Sequence, residues 1–397
     1  MSEQQIHQEM WSDMLDEIKG KEQLSRPSWT YSQHVWIQLK KNRKAMLGLA
    51  FILLMTLVTV FVPFFYPHNH ANQQLIMANM PPKLAIYQID ADTFIYMHRE
   101  YNLYDVTEDG VLSDRIKEVQ SNLKDRNRVY EINEKKVVID YAYAMMGKEQ
   151  NPEGIKFKIL VDGIEAKVFD RVMNKRFVWG TDALGRDILA RVLYGGRITL
   201  LIALVATSVN FVIGVLYGGV SGYFGGRVDN IMMRIVDTVS VIPLLLYIIL
   251  LSVIIGSGLK SVILALGLVY WVGIARIVRG QVMSLKEREF VLAAKTLGQS
   301  TGFIIFRHLI PNAMGPILVA LTMMIPSAIF TEAFLGFIGL GVNPPMASLG
   351  TLISESIGGL RSYPYQLFYP SMAISLTMLS YNLIGDGLRD ALDPRLR

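Results

Sequence analysis

Three observations predict an all-α polytopic membrane protein of six transmembrane helices, with a small α+β domain inserted between the first two. Several uncharged apolar runs reach the roughly 20 residues that a helix needs to cross ~30 Å of hydrocarbon. Between the first and second run, residues 68–180 turn rich in Asp, Glu, Lys and Arg and contain no possible span. The short connections between runs carry Lys and Arg on one side and almost no charge on the other.

The first 28 residues are polar and mixed in charge, which reads as a loosely ordered tail. Residues 29–44 place Trp29, Tyr31, Val35, Trp36 and Leu39 before Lys40, Lys41, Arg43 and Lys44. Two readings fit: an amphipathic helix at the membrane interface, or the polar flank of the first span. Ala45–Tyr66 is the first span, ended by Pro67. It is too long for a signal peptide and lacks a small-residue cleavage site. The cationic cluster before it puts the N-terminus in the cytoplasm.

The block 67–180 is then an extracytoplasmic domain. Residues 157–169 form two β-rich runs joined by Asp162-Gly163, the dipeptide of a type I′ hairpin. Lys136–Tyr143 and Asp92–Tyr96 read as strands. Asp114–Leu123 reads as a short helix, with Ile116, Val119 and Leu123 in phase. The acids Asp105, Glu108, Asp109 and Asp114 fit no EF-hand spacing and read as solvated surface.

Phe177–Arg197 is helix-forming, with Asp182 as a cap, an apolar stripe of Leu184, Ile188, Leu189 and Val192, and Arg186, Arg191 and Arg197 opposite. A core of further apolar spans occupies 181–397. Its spans are Ile198–Tyr223, rich in packing glycines, Ile231–Ile255, bent at Pro243, Leu259–Val282, Ile317–Ile338 and Phe368–Leu388. The loops at Arg227/Arg234, Lys286–Arg307 and Arg389–Arg397 fall inside, and those at Gly256–Lys260 and 339–367 outside.

The segment 284–312 is charged, amphipathic and flanked by spans. Ser284 and Glu287 have capping-box spacing. Phe290, Ala293, Ala294 and Leu297 lie on one helical face, and Gly298 is placed to end the helix. A second helix from Thr301 is expected to stop near Ile310, before Pro311.

Composition excludes several chemistries. The 397 residues are 51% hydrophobic with a net charge of +5. No basic patch with interleaved aromatics points to nucleic acid. The absence of cysteine removes disulfides, thiolate metal sites and a Cys nucleophile. No Walker A loop, HExxH or GxSxG motif is present, so no catalytic residue and no metal site is assigned. Polar residues within spans are the remaining candidates: Asn210, Asp237, Glu332, Asn382 and Asp386, with Glu332 the hardest to explain structurally. They line a polar path, or they have local roles. In the second case Asp237 pairs with Arg234, Asp386 sits at the interface and Asn210 bonds a neighbouring helix.

The segment 284–316 resembles the cytoplasmic coupling loop, or EAA loop, of ABC-importer permeases. Ala293, Ala294, Gly298 and Pro311 match it, while Leu292, His308 and Ile310 depart from it. GTDALGRDILARVLYGGRITL at 180–200, RHLIPNAMGPI, TEAFLGFIGLG and DGLRDALDPRLR are similar to the second membrane subunit of the oligopeptide/dipeptide/nickel branch. The resemblance covers about 29–80 and 177–397, and the block 85–176 exceeds what that branch usually carries.

The resemblance implies a permease subunit importing oligopeptides across the bacterial cytoplasmic membrane, with dipeptides or nickel chelates as the alternative. Its partners would be a homologous permease in a heterodimer, two cytoplasmic ATPases holding ATP and Mg, an extracytoplasmic peptide-binding protein and membrane lipid. The chain itself would hold no cofactor. The ATPase-coupling residues would be Glu289, Phe290, Ala293, Ala294, Leu297, Gly298, Pro311 and Asn312. The path would involve Asp237, Pro243, Glu332 and Asn382. The insert would offer a docking surface to the binding protein. A rival class, an ion-coupled secondary transporter, would need inverted repeats and paired mid-membrane acids, and neither is evident.

Overall fold

A computed structural model describes residues 31–99, 101–145, 151 and 155–392. The tail expected at 1–28 lies outside the described residues. A short helix α1 (Tyr31–Lys41) precedes the long α2 (Arg43–Phe65). The two are separated at Asn42, whose side chain accepts a hydrogen bond from the Ala45 N–H at 3.2 Å and so caps α2. Trp36 stays exposed with Lys40 over its ring, the arrangement of an interfacial helix.

Among the described residues ten strands follow between Lys83 and Met173, in two antiparallel sheets of order β10-β1-β2-β3-β4 and β5-β6-β7-β8-β9. The strands of the first sheet are β1 (Lys83–Asp90), β2 (Thr93–Met97), β3 (Leu103–Val106), β4 (Leu112–Arg115) and β10 (Val168–Met173). Those of the second are β5 (Gln120–Asn122), β6 (Asn127–Ile132), β7 (Lys135–Asp140), β8 (Lys158–Val161) and β9 (Ile164–Glu165). The sheets share a core in which Tyr87, Ile95 and Leu103 meet Tyr130, Val137, Ile139 and Ile159. The other face of the first sheet is also buried, under Met77, Met80 and Phe177. That double burial is why β2 reads as a nearly continuous apolar run.

The hairpin at Asp162-Gly163 forms as expected, both residues having positive φ. The helix expected at Asp114–Leu123 does not. That stretch supplies β4 and β5 and carries the chain from one sheet to the other. Ile116 turns toward the shared core while Val119 and Leu123 are exposed, so the three share no face. Ladder partners on β3 and β6 outweigh a weak local helical phase. Among the described residues the insert holds strands and two 3₁₀ turns, so it is β-rich where an α+β domain was expected.

The insert is seated firmly. Gln366 donates to Asn79 Oδ1 (2.9 Å) and to the Thr181 carbonyl (3.0 Å), and the Arg99 guanidinium lies 5.1 Å from the Tyr363 ring centre.

Helix α3 (Ile188–Phe224) starts ten residues before the span read from sequence. Its cap is Asp187, whose carboxylate accepts from the Ala190 N–H at 3.1 Å. Asp182, the expected cap, instead receives the Leu184 and Arg186 N–H groups and pairs with Arg186 (2.7 Å) and Arg191 (2.6 Å). Both arginines also reach Glu355.

Next come α4 (Gly226–Val241) and α5 (Leu244–Ile255), bent by 81° at Ile242-Pro243, then α6 (Leu259–Val269) and α7 (Trp271–Leu285). A short α8 (Glu289–Thr296), a 37-residue α9 (Thr301–Phe337), a short α10 (Leu349–Ser356) and α11 (Pro364–Leu392) complete the chain. Among the described residues five helices are long and apolar enough to cross a membrane, and the bent pair α4/α5 makes six if it counts as one span.

The bundle is closed by glycines. Gly214, Gly218 and Gly222 run along α3 against Ile274, Ala275 and Arg279 of α7. A Cβ on Gly218 would stand 2.3 Å from the Ala275 carbonyl oxygen. Gly218→Ala should therefore destabilise the bundle by about 1–3 kcal/mol, seen as a lower thermal midpoint in detergent. Gly280→Ala, which meets nothing within 4 Å, should not lower it.

Candidate functional site

At the end of the bundle away from the insert, α7 stops at Leu285 and α8 begins after Arg288. The expected capping box is absent: Ser284 donates to the Gln281 carbonyl at 2.8 Å and belongs to α7, and Arg288 caps α8 with no side-chain bond. The reason is length. Helix α7 continues past Val282, so Ser284 lies within its last turn rather than at a start.

The other end of α8 behaves as read. Gly298 has φ +74°, its N–H bonds the Lys295 carbonyl at 3.0 Å, and the Gln299 N–H bonds the Ala294 carbonyl at 3.1 Å. That is a Schellman cap.

The face expected on α8 divides in two. Ala294 turns inward and packs with Val291 against Ile304, Ile305 and Leu309. Phe290, Ala293 and Leu297 turn outward together, with Leu297 79% exposed. Leu292, Phe303 and Phe306 are also exposed apolar side chains, and sequence reasoning missed them. The i, i+3 spacing of Phe303 and Phe306 was the available signal. Glu289 and Lys295 lie exposed beside the apolar residues, and Lys295 stands 5.2 Å over the Tyr223 ring at the end of α3.

Helix α9 does not stop at Pro311. Ser300 caps its start, the six residues Ile304–Leu309 form a π turn, and the Ile310 N–H reaches back to the Ile305 carbonyl. The wide turn displaces the carbonyl that a proline ring otherwise strikes, so the helix runs on to Phe337. Asn312 donates to the His308 carbonyl at 2.6 Å, and His308 meets Gln299 at 2.9 Å, tying the turn after α8 to the π turn.

The path candidates are not brought together. Asp237 is exposed on α4 and pairs with Arg276 of α7 at 2.9 Å, not with Arg234. Pro243 marks the break between α4 and α5. Asn382 and Asp386 are exposed one turn apart on α11. Asn210 is fully buried on α3, and neither side-chain atom has a partner among the described residues.

Glu332 is fully buried near the far end of α9. Thr199 of α3 donates to its Oε2 at 3.0 Å and accepts the Leu349 N–H of α10 at 3.2 Å. Gly195 and Gly336 admit the α10 backbone at this junction. Glu332 thus knots α3, α9 and α10.

Two family descriptions match the chain. Residues 210–397 match "Binding-protein-dependent transport system inner membrane component", and residues 30–82 match "N-terminal TM domain of oligopeptide transport permease C". The dipeptide transport system permease protein DppC of Bacillus subtilis is 37% identical over 387 residues, 97% of this chain and 92% of that protein. The chain belongs to the permease subunits of ABC importers.

The oligopeptide transport system permease protein OppC of Bacillus subtilis is 50% identical to this permease over 228 residues, 57% of the chain and 75% of that protein. A solved structure of the MetNI methionine ABC transporter, inward facing, aligns with 52% of the chain and 98% of its own at 22% identity and a TM-score of 0.42. Neither family description reaches the ten strands between Lys83 and Met173, yet the DppC alignment extends across nearly the whole chain. A permease of this family is not an enzyme, and ATP hydrolysis belongs to its ATPase partners.

The knot at Glu332 can be tested in the isolated permease. Thr199→Val removes the hydroxyl that donates to Glu332 Oε2 and leaves the Leu349 N–H without its acceptor, at roughly 1–3 kcal/mol for an orphaned buried group. Its thermal midpoint in detergent should fall clearly, whereas Thr199→Ser, which keeps the hydroxyl, should stay close to wild type.

Proposed function

We propose that this chain is one membrane subunit of an importer for oligopeptides, with six spans and both termini in the cytoplasm. It pairs with a second permease, two ATPases and an extracytoplasmic peptide-binding protein. The observation that carries the reading is the outward patch of Phe290, Ala293 and Leu297 on α8. An exposed apolar patch with Glu289 and Lys295 at its rim suits a helix that docks in a groove of another protein. The peptide cargo is supported by the transport roles named for DppC and OppC; a dipeptide importer is the second reading, favoured by the near-full-length DppC match.

In this reading α8 is the ATPase-facing helix. Gly298 ends it, and Pro311 and Asn312 lie within α9, where Asn312 bonds His308, the partner of Gln299 in the turn after α8. The α4/α5 pair counts as one broken span, giving six. The Lys and Arg around α1, at Arg227 and Arg234, and at Lys286–Arg307 favour that end as cytoplasmic. The β-rich insert then stands outside, where a binding protein arrives.

Leu297→Asp and Phe290→Asp should each abolish co-purification of the ATPase from membranes while leaving the detergent thermal midpoint unchanged, because both side chains are exposed. Ala294→Asp, on the buried side, should instead lower the midpoint. An ATPase that still co-purifies with the Leu297→Asp/Phe290→Asp double variant would overturn the docking role of α8.

A further inference from the structure

The densest run of positive charge in the chain lies where it first enters the membrane. Lys40, Lys41, Arg43 and Lys44 end α1 and begin α2. All four are exposed, and none makes an ion pair among the described residues. Arg43 and Lys44 stand in the first turn of α2, where positive charge opposes the helix dipole. Those two charges therefore do not serve the helix that carries them.

The depth of the run is set by α2 itself. Its 23 residues measure about 34 Å, close to the thickness of the hydrocarbon core. Leu47, Leu54, Leu57 and Phe61 are each more than half exposed along it. Their spacing places them on one helical face, with Arg43 at its head. The cations thus stand within about one turn of the first apolar residue of that stripe, at headgroup level. Trp36 prefers the same level, and the Lys40 ammonium lies 5.1 Å over its ring.

Packing holds the run in place. Leu39 and Ala45 close on Gly387 of α11, where a Cβ would stand 2.3 Å from Ala45 Cβ and 3.3 Å from Leu39. The same end of α11 brings Asp386, Arg389 and Asp390, all exposed. Asp390 lies 3.5 Å from the Asn42 amide nitrogen and pairs with none of the four cations. With these neighbours counted, positive charge still prevails.

We propose that Lys40, Lys41, Arg43 and Lys44 seat an anionic phospholipid, with its phosphodiester among the cations and an acyl chain along the stripe from Leu47 to Phe61. A lipid fits better than a soluble anion because the apolar stripe begins where the charge ends. The seat depends neither on the peptide cargo nor on which end of the bundle is cytoplasmic. In the orientation proposed above it faces the inner leaflet. The bound lipid fastens α1, and with it the end of α11, to the membrane surface.

Spin-labelled lipids test the seat. The complete importer is placed in phosphatidylcholine bilayers containing a trace of spin-labelled phosphatidylglycerol or phosphatidylcholine, and electron paramagnetic resonance measures the fraction immobilised on protein. One basic side chain beside an anionic lipid is worth about fivefold in binding. Phosphatidylglycerol should therefore be favoured about fivefold by the wild type. The preference should disappear in the Lys40→Gln/Lys41→Gln/Arg43→Gln/Lys44→Gln variant, and in about 1 M NaCl. A control variant, Lys83→Gln/Lys117→Gln/Lys124→Gln/Lys167→Gln, removes the same charge from exposed positions on the insert and should keep it.

A preference unmoved by the α1–α2 variant overturns the seat, as does an equal loss in the control, which would make net charge the cause. Displacement of the labelled phosphatidylglycerol by millimolar sn-glycerol 1-phosphate overturns the choice of lipid over a soluble phosphate. The thermal midpoint of the full chain in detergent separates binding from structure. Added phosphatidylglycerol should raise it for the wild type and not for the α1–α2 variant, while the two should melt alike in phosphatidylcholine because all four side chains are exposed. A variant that melts lower in phosphatidylcholine, with the same rise on adding phosphatidylglycerol, overturns the proposal in favour of a structural role.

Discussion

Hydrocarbon gives apolar helices no reason to prefer one another over lipid, so this bundle depends on how closely its backbones can approach. Glycine supplies the approach. Along α3, Gly214, Gly218 and Gly222 bring α7 to backbone contact, and Gly195 and Gly336 do the same for the short α10. Gly48 and Gly387 join α2 and α11. Every such contact replaces side-chain volume by carbonyl and amide surface, and the few buried polar groups then become fixed points. Thr199 can serve Glu332 and Leu349 together only because Gly195 lets the α10 backbone reach α3.

The spans were legible because the signal for a membrane helix is long, uniform and charge-free. The Asp162-Gly163 hairpin was legible for the opposite reason, being a two-residue signal with one strong conformational preference. The neighbouring hairpin at Asn133-Glu134 was not. Both residues have positive φ, but Glu does not advertise that conformation. Asp114–Leu123 misled because three apolar residues in helical phase are weak evidence once two sheets offer ladder partners.

Along residues 284–312, local rules worked where the residue itself enforces them and failed where a neighbour decides. Gly298 ends α8 by its own freedom of φ. The Ser284–Glu287 spacing was sound chemistry in the wrong place, since α7 had not yet ended. Pro311 would have stopped a regular helix, but a π turn cannot be read from composition. The face of α8 was found, yet which residues turned inward depended on Ile304, Ile305 and Leu309, which pack beneath it from later in the chain. Asp237 was recognised as unusual, but its partner lay on α7, 39 residues away.

Helix α9 is unbroken from Thr301, beside the α8 patch, to Phe337, beyond Glu332. At 1.5 Å per residue its 37 residues make a rod about 55 Å long. A rod held at one depth by packing converts a small sideways push at one end into an opposite swing at the other. Its bendable points are the π turn, Pro316 and Pro326, where the hydrogen-bond ladder is offset or lacks a donor. Mechanical work entering near α8 would therefore reach the Glu332 knot as rotation of a lever, with its compliance concentrated at those three places.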